Sequence, residues 1–310
     1  MANENDIALV VSSCDKYADA WYPYFELIKK YWPGHPKKIY LITEGKKFYS
    51  TGLDITVSAY DKSLTWSEML YKTLSKIDSK YIIFSLEDFF LLDYVKQERI
   101  DECVTWMEEN PQIAVCRFFS CGYDSLIPTD TYKDFRIAGK DISFRLETQF
   151  ALWNRETLMS FIDLSENPWQ FEKNGTERIK DTDKIFLWKY SKNPDSPDDK
   201  IVYYFHGINK GYGIVGGEWM WNNKKWFEKN GIYDINYKRL GVISEKAAKK
   251  RIKHLYNSDP TTFDKMVRPI WLEVIRIKKC KNYLFGFGLK EGIELILGKT
   301  KKQIKGLNHK

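Results

Sequence analysis

Two short apolar runs, IALVVSS (7–13) and KKIYLIT (37–43), flank a segment whose apolar residues repeat at helical spacing. This pattern constrains the chain more than any other feature. Tyr17, Trp21, Tyr24, Phe25, Ile28 and Trp32 recur at intervals of three or four, the spacing of one helical face. WPGHP (32–36) then breaks the helix. Strand, helix and strand of this length make a β-α-β unit, and such units build parallel sheets. The alternation continues. ITVSA (55–59) reads as a short strand. Thr65 and Glu68 spell a capping box, and the helix it opens carries Trp66, Met69, Leu70, Leu74 and Ile77 on one face. YIIFSL (81–86) is a buried strand, Ile100, Cys103, Val104 and Met107 mark a helix, and IAVCRFF (113–119) is the next strand. The expected fold class is α/β, an open sheet flanked by helices.

In such sheets ligands bind in the crevice beyond the carboxyl ends of the strands. Three of the expected strand ends are polar: Ser12, Ser13, Cys14 and Asp15 after the first, Thr43 and Glu44 after the second, and Glu87 and Asp88 after YIIFSL. The last pair stands out because apolar residues resume at once, in FFLL (89–92). Adjacent carboxylates in so apolar a segment need neutralising. At a sheet edge such a pair holds Mg2+ or Mn2+, which prefer oxygen ligands and keep substrate phosphates as the remaining ones. The alternative is structural, with Glu87 capping a turn and Asp88 in a salt bridge.

The second half reads less regularly. Residues 121–142 look like loop, 143–162 like a strand leading into a helix, and 167–183 like a polar, aromatic stretch with a short helix. NPDSPDD (193–199) is a turn, IVYYFHG (201–207) a strand, and NKGYGIVGGEW (209–219) a Gly-rich segment. The 310 residues suffice for one large domain or two modest ones. With 43% hydrophobic and 29% charged residues, the chain as a whole is not disordered. Aromatic residues make up 16%; they suit either an aromatic core or the flat faces of nucleobases and sugars. The five Cys, at 14, 103, 116, 121 and 280, are odd in number and form no C-x-x-C. Neither a disulfide framework nor a zinc cage is expected, and the reducing cytosol is the expected compartment. MANENDIALVVSS does not read as a signal peptide, and no run approaches the roughly 18 to 20 apolar residues of a membrane-spanning helix. Residues 245–310 hold 17 Lys and Arg against 6 Asp and Glu, a net of +11 in a chain of +7. The basic, apolar tail from about 244 is expected to be helical and to lie on an anionic leaflet. Nucleic-acid binding ranks lower, because the body is acidic.

Absent motifs narrow the function. No G-x-G-x-x-G follows the first strand, which argues against a dinucleotide-binding fold. No G-x-x-x-x-G-K-[ST] argues for a P-loop, and no G-x-S-x-G argues for an α/β-hydrolase.

Four patterns then occur in order: Ser13, Asp15 and Tyr17 with Trp21; Trp66 and Ser67; Leu86, Glu87, Asp88, Phe89 and Leu91; and Pro168, Trp169, Phe171 and Glu172. Together, over about residues 7–220, they resemble bacterial GT-A-fold glycosyltransferases of capsule and lipopolysaccharide clusters. The resemblance implies a GT-A-like open mixed sheet. The catalytic domain would span 1–243, with a nucleotide-binding half (1–120), an acceptor half (121–243) and the basic helical region 244–310 beyond. It implies a nucleotide-diphosphate sugar as donor and a glycan or lipid-linked hydroxyl as acceptor. Inverting transfer would take place in the cytoplasm, at the inner face of the membrane. Ser12, Ser13, Asp15 and Glu44 would face the nucleoside. Asp88 and then Glu87 would contact a divalent cation, Mn2+ or Mg2+, or the diphosphate, although a strict D-x-D is absent. A late His on the metal would be His206, and Lys210 would neutralise the leaving diphosphate. Trp66 would pack beneath the site. Glu172, between aromatic residues, suits a general base, with Glu147, Asp181 and Asp183 as rivals. A non-catalytic nucleotide-sugar-binding scaffold and a nucleotidyltransferase are the competing functions; the latter usually has a Gly- and Arg-rich first loop, which is not seen after IALVVSS.

Overall fold

The computed structural model of the chain describes residues 7–121, 125–192, 196, 200–205, 213–215, 217–248 and 250. The chain divides into two compact units, Met1–Ala248 and Lys249–Lys310. The fold below is that of the first. Most of the expected basic region 244–310 lies outside the described residues.

The first half follows the sequence pattern. β1 (Ile7–Ser12) leads through a 3-10 turn (Asp15–Ala20) into α1 (Trp21–Tyr31), then β2 (Lys38–Thr43), β3 (Ile55–Ala59), α2 (Trp66–Leu74), β4 (Tyr81–Leu86), α3 (Gln97–Glu109) and β5 (Ile113–Cys121). The capping box forms as expected: the Thr65 hydroxyl accepts from Glu68 N, and Glu68 accepts from Thr65 N. The second half differs from its reading. The stretch expected to be loop contains two short strands, β6 (Ile127–Pro128) and β7 (Phe135–Ile137). In 143–162 the strand is confined to β8 (Ala151–Asn154), followed by α4 (Arg155–Ser160). α5 (Pro168–Arg178) is the expected short helix. β9 (Ile185–Tyr190) has no counterpart in the sequence reading, although IFLWKY is rich in strand-forming residues. Residues 201–205 do not form a regular strand, but Tyr204 makes a bridge to Leu91.

Among the described residues nine strands form one sheet, ordered β3-β2-β1-β4-β8-β5-β9-β7-β6. β3, β2, β1 and β4 are mutually parallel. β8 runs antiparallel to both β4 and β5, and β9 is parallel to β5. β5 and β9 therefore point the same way as β1 and β4. The expected open mixed sheet flanked by helices is what forms. Buried on both faces, β1 needs apolar side chains at nearly every position. Its residues alternate between the two cores. Leu9 and Val11 pack with α1 and α3, and Ala8 and Val10 with α2, α4 and α5.

From β1 the chain builds outward through β2 to β3, then crosses back to place β4 on the other side of β1. Strand order reverses at β1/β4, the position where open α/β sheets leave a ligand crevice. β10 (Ile214–Val215), β11 (Glu218–Met220), α6 (Asn223–Lys229), α7 (Tyr237–Leu240) and β12 (Val242–Ile243) complete the unit, the three strands forming a small second sheet. This layer explains the apolar run after the acidic pair. β4 ends at Leu86, and Phe90 then stacks on Trp219 at 5.9 Å and meets Phe227 edge-on at 4.9 Å. No helix among the described residues is long and apolar enough to cross a membrane.

Candidate functional site

The pairings fix which residues share the crevice. Ser12 lies beside Leu86 in the β1/β4 register, so Ser13, Glu87 and Asp88 leave the sheet together. β8 starts where β4 ends, with Ala151 opposite Phe84 on one side and Arg117 on the other. Residues 147–150 therefore sit at the same edge. Asp181 and Asp183 precede β9 and lie at the opposite edge, exposed; the chain direction removes them from the site.

The first-strand residues are tied into the scaffold. Ser12 Oγ accepts the Trp66 indole N–H at 2.8 Å, and Ser13 Oγ accepts that of Trp21 at 2.7 Å. Trp66 lies beneath the crevice, its ring 5.4 Å from that of Phe171. Asp15 Oδ1 accepts Glu44 N and Lys46 N, each at 3.1 Å, and Glu44 Oε2 accepts Asp15 N at 3.3 Å. These reciprocal bonds lock the loop after β1 to the loop after β2.

Glu87 is only 8% exposed. Burial, and then the neighbouring Asp88 charge, hold its carboxyl well above the usual carboxylate range, against a hydrogen bond from Ser13. Burial pushes Asp88 up to about 6, opposed by Ile214 N, which donates to Asp88 Oδ2 at 3.1 Å. Among the described residues no cation contributes to either shift. Burial, then Glu87 and Glu44, raise the Cys14 thiol to about 11. A Cβ on Gly213 would come within 2.2 Å of the Asp88 carbonyl oxygen. A glycine is therefore required where β10 closes on the pair. Paired, buried carboxylates that no described cation offsets fit a divalent cation, which at phosphate sites takes one or two protein carboxylates. No group of three or more potential ligands occurs among the described residues. His206 and Lys210 lie outside the described residues.

A second polar group gathers on the β5/β8 side. Arg117, in the middle of an otherwise apolar strand, pairs with Glu147 at 2.5 Å and lies over the Trp188 ring at 3.6 Å. Burial pushes the Glu147 carboxyl up to about 7, with Arg117 opposing and the Glu172 charge reinforcing. Glu172 Oε1 accepts both Thr148 N at 2.8 Å and Thr148 Oγ1 at 2.7 Å, which docks α5 on the segment before β8. Glu147 lines a small cavity with Trp66, Phe84, Thr148 and Phe171. Tyr204 donates to Gln149 Oε1 at 2.8 Å, and burial, then Glu147, raise its phenol, with Asp88 a lesser contributor. Tyr204 thus stands between the two acidic groups. Sequence reasoning missed Arg117 and Tyr204. The signal for Arg117 was the one that marked Glu87, a charge inside an apolar strand.

No family model and no curated protein matches the chain. Among solved structures it is similar to S. aureus TarS 1-349, with 12% identity, 61% of each chain covered and a TM-score of 0.40. It is also similar to a cytidylyltransferase from Leptospira borgpetersenii serovar Hardjo-bovis, with 9% identity, 64% of this chain and 80% of that one covered, and a TM-score of 0.38. A third is CMP:2-keto-3-deoxy-manno-octonic acid synthetase complexed with CTP, with 9% identity, 60% and 88% covered, and a TM-score of 0.34. The matched part spans less than two thirds of the TarS fragment.

Proposed function

We propose that the chain is a GT-A-like glycosyltransferase. It would move a sugar, with inversion, from a nucleotide-diphosphate donor to a hydroxyl of a glycan or lipid-linked acceptor in surface polysaccharide synthesis. The observation that carries this reading is the buried Glu87–Asp88 pair at the strand-order reversal, which no cation among the described residues offsets. A crevice of that kind suits a nucleotide, and the carboxylates suit the cation that accompanies a diphosphate. Glu87 and Asp88 would hold Mn2+ or Mg2+, which when bound offsets the charge developing on the leaving diphosphate. Ser12, Ser13, Asp15 and Glu44 would shape the wall that meets the nucleoside, through the locked loops they stabilise. His206 and Lys210 keep their proposed roles at the cation and the diphosphate.

On the acceptor side Glu172 and Glu147 are neighbours. We assign the acceptor proton to Glu147, because a carboxyl titrating near 7 accepts a proton at neutral pH without holding it too weakly to abstract it. Glu172 then fixes the Thr148 backbone beside it. The loop between Ser13 and Tyr17 contains neither Gly nor Arg, which favours glycosyl over nucleotidyl transfer. The basic region 245–310 would hold the protein to an anionic leaflet, and vesicle sedimentation in rising salt measures that attachment.

The test is a screen of nucleotide sugars for thermal shift and slow hydrolysis, with and without Mn2+. Donor-dependent stabilisation with hydrolysis is expected. Binding with no turnover under any acceptor would make the protein a nucleotide-sugar-binding scaffold. Glu147→Gln is expected to keep donor binding and lose transfer, whereas Glu172→Gln retains measurable transfer. The reverse ranking would return the base to Glu172.

A further inference from the structure

The turn that follows β1 is fastened on several sides. Asp15 bonds the loop after β2, Ser13 accepts the Trp21 indole N–H, and Arg239 Nε donates to Asp19 Oδ2 at 2.5 Å. Between these anchors stand Lys16 and Tyr17, whose side chains none of the bonds uses. Tyr17 leaves helical geometry at φ −101° and ψ 19°, and its N–H donates to Cys14 O at 2.9 Å. Exposed lysines are ordinarily solvated and need no explanation. Lys16 is distinguished by its place. Lys46, on the adjoining loop, spends its ammonium on Asp15 O at 3.3 Å. The Lys16 ammonium instead lies over the Tyr17 ring, 5.3 Å from its centroid, and pairs with no carboxylate among the described residues.

Lys16 and Tyr17 meet the hairpin of the small second sheet, and that hairpin also touches the acidic pair. At one end is Gly213, where a Cβ would come within 2.9 Å of Asp88 Cβ, followed by Ile214, whose N–H donates to Asp88 Oδ2. At the turn is Gly217, with a φ of +89° that suits glycine. A Cβ there would lie 3.0 Å from Lys16 Nζ and 3.9 Å from the Tyr17 hydroxyl. Only the two residues of β10 separate its start from this turn. The hairpin thus runs across the crevice, from Asp88 after β4 to the turn after β1. The Tyr17 phenol is close enough to sense the pair. Burial, then the Cys14 thiol and the Glu87 and Asp88 charges, hold it well above its usual value, so it keeps its proton and can donate. Lys16 does not itself offset either carboxylate. It faces them from the other side of the hairpin.

We propose that the Lys16 ammonium and the Tyr17 hydroxyl donate to phosphate oxygens of a nucleoside diphosphate, opposite the Glu87–Asp88 pair. The inference rests on the glycosyltransferase reading above and deepens it by assigning two residues of the β1 turn to the diphosphate. The chemistry is complementary. Carboxylates repel phosphate and can hold it only through a cation, which leaves the far oxygens without partners. Lysine serves such oxygens as a point charge, and a neutral phenol supplies a directed donor. Because the turn is already anchored, binding would order little beyond the lysine side chain.

The experiment is calorimetric titration of the full chain with UDP, GDP, CDP and ADP in the presence of Mn2+. Wild type is expected to bind at least one of the four. Lys16→Met should weaken that binding about tenfold, equivalent to about 1.4 kcal/mol, and Lys16→Arg should recover most of it. Tyr17→Phe, which keeps the ring and removes the donor, should weaken it about threefold. Lys72, exposed in the last turn of α2, supplies a control for net charge, and Lys72→Met should bind as wild type does. The melting temperature of Lys16→Met without ligand should be unchanged. Equal affinity of wild type and Lys16→Met overturns the proposal, as does an equal loss in Lys72→Met; in both cases the donor reading stands, because wild type still binds. If none of the four nucleotides binds wild type, the proposal falls. If nucleotide sugars also produce no thermal shift, the glycosyltransferase reading falls with it.

Discussion

The two sides of the crevice treat buried charge in opposite ways. Beyond β4, Glu87 and Asp88 are buried next to each other, and among the described residues no cation contributes to their shifts. Around β5 and β8, the buried charges are matched. Arg117 meets Glu147, Arg145 donates to the carbonyls of Ala138, Ile179, Lys180 and Lys184, and Arg178 donates to both oxygens of Glu166. Burying charge costs several kcal/mol per ion unless it is paired and hydrogen-bonded. The second side therefore stabilises itself by pairing. Among the described residues the first keeps a deficit that a cation or ligand can fill. The contrast separates a side whose buried charges are already paired from one that could take up a cation.

Breaking a matched pair should produce the largest effect. Arg117→Met leaves Glu147 buried without its cation, a loss of about 3–5 kcal/mol. The loss has a pH signature. Glu147 already sits above the ordinary Glu value because of burial, and removing Arg117 raises it further. A carboxyl whose folded pKa is raised holds its proton in the folded state and destabilises as pH rises through the interval. Denaturant melts should therefore show a smaller loss at pH 5 than at pH 8. A loss below about 1 kcal/mol at pH 8 would mean that the pair is solvated and the contrast between the sides is overstated.

Removing a charge from the unmatched side should have the opposite effect on stability. Asp88→Asn keeps the shape and the acceptor for Ile214 N. Donor turnover is expected to fall about 100-fold, or about 2.7 kcal/mol of transition-state stabilisation. Yet the protein without ligand should become more stable. Asp88 titrates near 6 when folded and near its ordinary 3.8 when unfolded, so in wild type stability is lost between those values as pH rises. The variant lacks that loss. Melting temperatures of variant and wild type should agree near pH 4 and diverge above pH 6, with the variant higher. A variant that is less stable at pH 8 would show that the carboxylate is already compensated.

Much of this contrast was legible in the sequence, and the reasons for the rest are physical. β1, β2 and β4 are flanked by helices on both faces, so their apolar runs are nearly unbroken and easily read. Glu87 and Asp88 were conspicuous because they interrupt such a run. The second half escaped for two reasons. β6, at the sheet edge, and β7 beside it have two and three residues, too short to show a period. β8 enters antiparallel between β4 and β5, a long-range pairing that local periodicity does not encode. That insertion brings Glu147 to the crevice and sends Asp181 and Asp183 to the far edge. The three acids looked equivalent in sequence and separate only through chain direction. Tyr204 joined the site by bridging to Leu91, more than a hundred residues away, which no local pattern announces.

The smallest effect compares two helix caps at opposite edges of the sheet. Thr65 caps α2 at the crevice, its hydroxyl accepting Glu68 N at 3.0 Å. Asn154 caps α4, its Oδ1 accepting Thr157 N at 2.9 Å, and it pairs with Tyr81 at the start of β4, the edge away from the site. Each change to Ala should cost about 1 kcal/mol of stability, the usual worth of an N-cap. Their functional consequences should differ. α2 carries Trp66, which bonds Ser12 and packs on Phe171, so fraying its first turn loosens both walls of the crevice. Among the described residues α4 reaches only the cavity beside Glu147, through Leu158, and not the walls formed by Ser12, Trp66 and the β1 and β2 loops. Thr65→Ala should weaken donor-induced thermal stabilisation by a few-fold in apparent affinity, and Asn154→Ala should leave it unchanged at the same loss of melting temperature. Wild-type donor affinity in both variants would mean that the crevice wall is rigid without the cap. Equal losses of affinity would mean that the fold as a whole, rather than the carboxyl edge of the sheet, governs binding.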